Sequence, residues 1–194
     1  GTLGYATQGN NLQLTGLAGY NWGGYHPFTA SGRLKLLAGA QIQLEGGALY
    51  IPSNGNNPVA AKLRTALAVS GMAIYRIPVG KHGWTARVQL DIPLVGIMFA
   101  PEYGQSYYEI GEGYTNGNVC FSQPGNAFSL WQQFTLDIPL GRKIVIRAGY
   151  LCDIRQSHVN GIKMHDRSHS FMIGFVRHFR VIGREERKAA EVML

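Results

Sequence analysis

Apolar and polar residues alternate with a period of two along most of this chain. In the segment 84–92, Trp84, Ala86, Val88, Leu90 and Ile92 fall on one side, and Thr85, Arg87, Gln89 and Asp91 on the other. That period belongs to an extended strand, whose successive side chains point to opposite faces. The same alternation runs through 33–51, 143–155 and 168–181. Helical periodicity is absent until the last dozen residues. The pattern predicts strands over 11–25, 33–51, 60–77, 84–98, 127–139, 143–157 and 168–182, with a weaker one at 2–8.

The connections between these strands alternate in length. Short ones are expected at 26–32, 78–83 and 140–142, and long ones at 52–59, 99–126 and 158–167. Tight turns on one side and longer loops on the other are the habit of transmembrane barrels. Several segments alternate for 13 or more residues, whereas an ordinary strand runs about 5–6 and a membrane strand about 9–11. The expected fold is therefore all-β: a closed antiparallel up-and-down transmembrane β-barrel of eight strands. A soluble calycin-like barrel or sandwich is the alternative, with its apolar face turned inward. Rings at Tyr20, Trp22, Tyr50, Tyr75, Trp84, Phe128 and Phe179 are expected near strand ends, as interfacial girdles. The repeated "DIPL" at 91–94 and 137–140 puts proline into two strands. Proline cannot donate to a ladder. Pro78 and Pro139 are expected to open turns, and Pro93 to mark a bulge.

Composition agrees with a β-rich chain. Its 194 residues include 26 Gly, 10 Tyr, 8 Phe and 3 Trp. One domain is expected, a barrel over 1–182 followed by a periplasmic tail over 183–194. The net charge of +7 comes from dispersed basic residues, so no nucleic-acid partner is expected. No apolar run is long enough for a membrane helix. The start, "GTLGYATQGN", reads as a mature or trimmed product, so a missing leader says nothing of export. Cys120 and Cys152 fit no metal spacing and are expected as free thiols, with a disulfide open if Cys152 lies high on its strand.

In a membrane barrel the polar face lines the lumen. That places Glu45, Arg64, Arg76, Arg87, Asp91, Asp137, Arg147, Asp153 and Arg155 inside. An eight-stranded barrel is just wide enough for side chains to fill. Charges there must pair or stay wet, so Arg87, Asp91, Asp137, Arg147, Asp153 and Arg155 are expected to form an ion-pair plug rather than a pore.

Two stretches carry candidate chemistry. The segment 155–171, expected as a loop and its flanks, holds Ser157, His158, His165, Asp166 and His169. Ser, His and a carboxylate are the parts of an activated nucleophile, and Ser157, His158 and Asp166 are the candidate set. Small outer-membrane barrels that deacylate lipid A carry a His-x-Ser-Asn run on a late strand, and this hairpin resembles them. Here the order is Ser157-His158-x-Asn160, and Asp166 stands near the expected Glu. The three histidines have no helical or cysteine partner that would support a metal site, so none is expected. The loop 100–126 has Glu102, Glu109 and Glu112 with no Lys or Arg. Its Tyr103, Tyr107, Tyr108 and Tyr114 could bind a sugar or a protein, or close over the barrel mouth.

The runs "NGNNPVAAKLRTALAVSGMAIY" (54–75), "APEYGQSYYEI" (100–110) and "SHSFMIGF" (168–175) resemble a family of small exported proteins from Bacteroidota-type bacteria, of unknown function. The resemblance implies export and a barrel and assigns no active residues. The expected function is that of a filled outer-membrane barrel, a structural or accessory subunit of a larger complex. It needs no cofactor, and its candidate partners are outer-membrane lipids, lipopolysaccharide among them, and other outer-membrane proteins. The alternatives are a lipid A acyl hydrolase and a soluble lipid-binding barrel.

Overall fold

The structure, a computed structural model, describes residues 2–8, 11–55, 58–79, 83–140 and 144–177. Its strands are β1 (Thr2–Gln8), β2 (Asn11–Ser31), β3 (Leu34–Tyr50), β4 (Val59–Ile77), β5 (Trp84–Phe99), β6 (Val119–Ser122), β7 (Ala127–Pro139), β8 (Ile144–Val159) and β9 (Ile162–Arg177). A single short helix, α1 (Tyr107–Gly111), interrupts the long connection after β5. The strands form one antiparallel sheet in the order β1-β2-β3-β4-β5-β7-β8-β9, and β6 pairs with the far end of β5. The sheet curls into a half-barrel. No pairing joins β1 to β9 among the described residues.

The alternation read from the sequence sets the two faces. Directly paired residues share a face, so the rows Gln41–Ala68–Pro93 and Gly39–Ser70–Asp91 run along one side of the sheet. This is the concave side, and it is polar. Gln41, Ser70, Asp91, Ser129 and Thr135 are buried there, beside Ala66 and Ala68. The convex side carries Leu44, Leu63, Leu67, Val69, Ile97, Phe171, Ile173 and Phe175, all exposed. A water-soluble sandwich buries its apolar face; this sheet exposes it. Curvature is strong enough that non-neighbouring strands touch: Arg64 Nη1 on β4 donates to Ser129 Oγ on β7 at 2.6 Å.

Three expectations about elements need correction. The first hairpin does not loop over 26–32: β2 runs on to Ser31 and turns at Gly32-Arg33. Tyr20 and Trp22 therefore lie in mid-strand rather than at its end. The connection 158–167 is not a long loop. It is a two-residue turn at Asn160-Gly161, both with positive φ (51° and 73°), and β9 begins at Ile162 instead of 168. Asn-Gly is the preferred pair for such a turn, and it outweighs the polarity of the flanking residues. A third difference is β6, a separate short strand inside the expected long loop. The tail 183–194, Phe179 and the end of the expected last strand lie outside the described residues.

Pro93 does sit at a break. Ala68 pairs with Pro93 while Leu67 pairs with Val95, leaving Leu94 as the extra residue. On its other side, β5 pairs with β7 only up to Asp91 and with β6 only from Gly96. The ladder thus lapses on both sides of the proline. The bulge also resets the phase of the strand. Leu94 and Val95 are both exposed, and Ile97 after them stays on the outer face. A second bulge follows the same rule: Phe28 is the extra residue after Pro27.

Candidate functional site

The concave face holds two hydrogen-bonded clusters. In the first, Asp91 is fully buried. It accepts from Ser70 Oγ and from Gln89 Nε2 (3.0 Å). Gln89 Nε2 also donates to Tyr25 Oη (3.0 Å), which lies 2.7 Å from Ser70 Oγ. The alternation places Tyr25 on β2, Ser70 on β4 and Asp91 on β5 so that all three point inward. In the second cluster Arg155 on β8 donates to Asp153 Oδ2 (2.6 Å) and, across the concavity, to Glu45 on β3. One guanidinium thus joins two carboxylates on strands that are not sheet neighbours. Fork geometry of this kind suits Arg and not Lys.

A third pair stands near the tight-turn end. Arg147 Nε and Nη2 donate to the two oxygens of Asp137 at 2.6 and 2.7 Å. They sit on directly opposed residues of β7 and β8. Of the residues singled out for interior pairing, Asp137, Arg147, Asp153 and Arg155 are thus brought together. Arg87 and Asp91 are not joined to each other: neither makes an ion pair among the described residues. Asp91 is held instead by neutral donors.

The loop end is covered. Ser106 caps α1, accepting from Glu109 N, while the Glu109 carboxylate accepts from Ser106 N. This is a capping box. Tyr107 Oη accepts from Ala61 N at 2.5 Å, tying the helix to β4. Asn160 Nδ2 donates to the carbonyls of Ala100 (2.5 Å) and Gly117 (2.8 Å) and lies 3.2 Å from Cys120 Sγ. The β8–β9 turn therefore clamps both ends of the connection. Of the four tyrosines, Tyr107 is tucked in, while Tyr103, Tyr108 and Tyr114 are exposed. In the sequence Asn160 stood only within the expected 158–167 loop and the Ser157-His158-x-Asn160 run; its clamp is a tertiary fact. Cys120 and Cys152 are both free thiols.

The candidate nucleophile set is not assembled. Ser157 and His158 are consecutive within β8, so they face opposite sides of the sheet. Ser157 shares the concave face with Asp153 and Arg155, opposite Met164. His158 is on the convex face, opposite Lys163. Asp166 pairs with Arg155 and lies on the concave face. Ser157 thus has no imidazole from this set on its own side. His165 and His169 share the convex face with His158, and His169 Nδ1 lies 2.6 Å from Tyr150 Oη. No three His, Cys, Asp or Glu side chains converge among the described residues.

An antiparallel, strongly curled β-sheet with a polar hollow and an apolar exterior is the class of structure these features define. More particularly, the chain belongs to the family described as "Protein of unknown function (DUF3316)", whose model matches residues 3–186. No curated protein and no solved structure matches the chain.

Proposed function

We propose that this protein is a small outer-membrane β-barrel with a filled polar interior, serving as a structural or accessory subunit beside other outer-membrane proteins. In this reading β1 and β9 meet to close the sheet, and the convex face contacts lipid. The observation that carries it is the inverted polarity of the faces. Phe171, Ile173 and Phe175 are 84, 83 and 79% exposed, while Asp91, Ser70 and Gln41 are buried. In water such an apolar surface is costly, at about 25 cal/mol per Å²; in a bilayer it is required. The strands suffice for the span: β2 to β5 and β7 to β9 have 13 to 21 residues. No helix among the described residues is long and apolar enough to cross a membrane, which says nothing of strands.

The interior supports a plug more than a channel, because Arg155 bridges Glu45 and Asp153 across the hollow. A soluble lipid-binding barrel would need the opposite arrangement of faces. The reading takes a Bacteroidota-type bacterium as the setting, and outer-membrane lipids, lipopolysaccharide among them, as what the convex face meets.

The test is fractionation of native membranes. The protein should stay with the outer membrane through carbonate and high-salt washes, leave it only in detergent, and bring a defined protein partner with it. Release by salt alone would end the membrane reading; extraction as a lone polypeptide would end the accessory-subunit reading.

A further inference from the structure

At the tight-turn end the inner face carries an excess of positive charge around an open pocket. The pocket, about 180 Å³, is lined by Gly32, Arg33, Lys35, Ile74, Arg76 and Thr85. Its walls follow from the register. Arg76 N donates to Arg33 O at 2.8 Å, Arg76 is opposed to Thr85, Thr85 to Asp137, and Asp137 to Arg147. One rung deeper, Lys35 opposes Ile74, Ile74 opposes Arg87, and Arg87 opposes Thr135. Successive inward residues are roughly 7 Å apart along a strand, within reach of Arg and Lys side chains on either rung.

Among the described residues five cations, Arg33, Arg76, Arg147, Lys35 and Arg87, therefore share these two rungs with one carboxylate, Asp137, both of whose oxygens accept from Arg147. Like charges placed directly opposite each other, as Arg33 and Arg76 are, destabilise a sheet. Two further atoms point the same way. Arg87 Nε and Thr135 Oγ1 are buried on opposed residues, and neither has a hydrogen-bond partner among the described residues. A buried polar group without a partner is costly, and an unmatched guanidinium N–H beside a hydroxyl is a ready donor pair. Unpartnered buried atoms occur elsewhere on the inner face too, Gln41 Nε2 and Arg64 Nε among them, but there the cations Lys62, Arg64 and Arg155 stand beside the carboxylates Glu45, Asp153 and Asp166.

We infer that this pocket binds a compact oxyanion, a phosphate group, held by Arg33, Lys35 and Arg76 with the Thr85 hydroxyl beside them, and with Arg87 on the strand next to its Ile74 wall. Guanidinium groups bind phosphate through paired N–H donors, and the like charges that repel one another when empty are matched when it is filled. The chemistry is the same whether the convex face meets lipid or water, so its failure would leave the membrane reading untouched.

The test is calorimetric titration of the full chain, in nonionic detergent, with two phosphate sources. One is inorganic phosphate; the other is short-chain phosphatidylglycerol. Lys35→Gln and Arg76→Gln are both at exposed positions, so each should fold, and circular dichroism checks that they do. Each should weaken binding by roughly tenfold, the size of one lost charge-assisted hydrogen bond. Lys163→Gln, on the convex face at the opposite end, should leave it unchanged. Binding of inorganic phosphate that is lost in the pocket variants establishes a free-oxyanion site. Binding of phosphatidylglycerol alone, lost in the same variants, establishes a headgroup site. Binding of neither source, or binding equal in wild type, Lys35→Gln and Arg76→Gln, overturns the inference.

Discussion

Gly39 shows how closely the inner face is fitted. It lies directly opposite Tyr25 across β2 and β3. A Cβ at Gly39 would stand 2.1 Å from the carbonyl oxygen of Gly24 and 2.9 Å from Tyr25 Cδ1. The first contact is with backbone and cannot be relieved by a rotamer change. Gly39→Ala is therefore expected to cost about 1–3 kcal/mol, the range for overpacking a filled site. Gly71, on the convex face of β4, would meet nothing within 4 Å, so Gly71→Ala should stay within about 0.5 kcal/mol of wild type. Urea unfolding midpoints of the two variants make the comparison, and equal midpoints would show that the inner face is slack. At this scale the sequence was readable for direction but not for distance. Alternation was enough to turn Asp137, Arg147, Asp153 and Arg155 inward. It could not say that Asp91 would meet Ser70 and Gln89 rather than Arg87, because that depends on curvature and strand stagger.

The strands and turns are governed by short signals. Asn160-Gly161 is an Asn-Gly pair between alternating segments, the strongest local sign of a two-residue hairpin. Its polar neighbours, His158, His165 and Asp166, made it look like a long loop, although polar residues at these positions belong to strand faces. Asn160 has two separable roles, the turn and the clamp on the Ala100 and Gly117 carbonyls. Asn160→Gly keeps a residue that tolerates positive φ and removes the side chain. Proteolysis within 100–118 should then quicken several-fold while global stability changes by no more than about 0.5 kcal/mol; an unchanged cleavage rate would mean the amide holds nothing.

The bulge at Leu94 is a different kind of element. Deleting Leu94 removes the extra residue and leaves strict alternation, with Pro93 and Met98 still inward and Val95 and Ile97 still outward. No side chain after it is inverted, as it would be by a one-residue slip in a regular strand. The deletion is therefore expected to keep the folded far-ultraviolet spectrum and protease resistance, and Leu94→Ala should cost within about 1 kcal/mol. An unfolded deletion variant would show that the bulge does more than absorb one residue. Pro93 pointed to this break from the sequence, because proline cannot serve a central ladder. Pro27 carried the same signal inside a strand that had been expected to end before it.

Across the whole molecule the inverted faces lead to a direct optical test. Trp22 on β2 is 68% exposed on the convex face. Trp131 on β7 opposes Asp91 and Asp153 and so points into the hollow. In single-tryptophan variants reconstituted with brominated lipid, Trp22 fluorescence should be quenched strongly and Trp131 little. A soluble lipid-binding barrel, with its ligand inside, would show the reverse. The same large-scale view separates two ends. The loop end carries the acidic, tyrosine-bearing connection held by Asn160 and Tyr107. The turn end carries the cationic pocket around Arg33, Lys35 and Arg76.

The period-two pattern by itself determined that the chain is an antiparallel β protein, where most of its long strands run and which residues share a face. Those properties are local: a pleated backbone alternates its side chains wherever it is extended. Proline and Asn-Gly marked two of the irregularities for the same reason, since both act on their own backbone. The continuation of β8 to Val159 puts Ser157 and His158 on opposite sides of the sheet by that same local alternation. Only the tertiary structure decided that the polar face is the concave one, and that Glu45 meets Arg155. It also set the described cations at 33, 35, 76, 87 and 147 on two adjoining rungs of the inner face, because these residues are aligned only through the register of strands far apart in the chain.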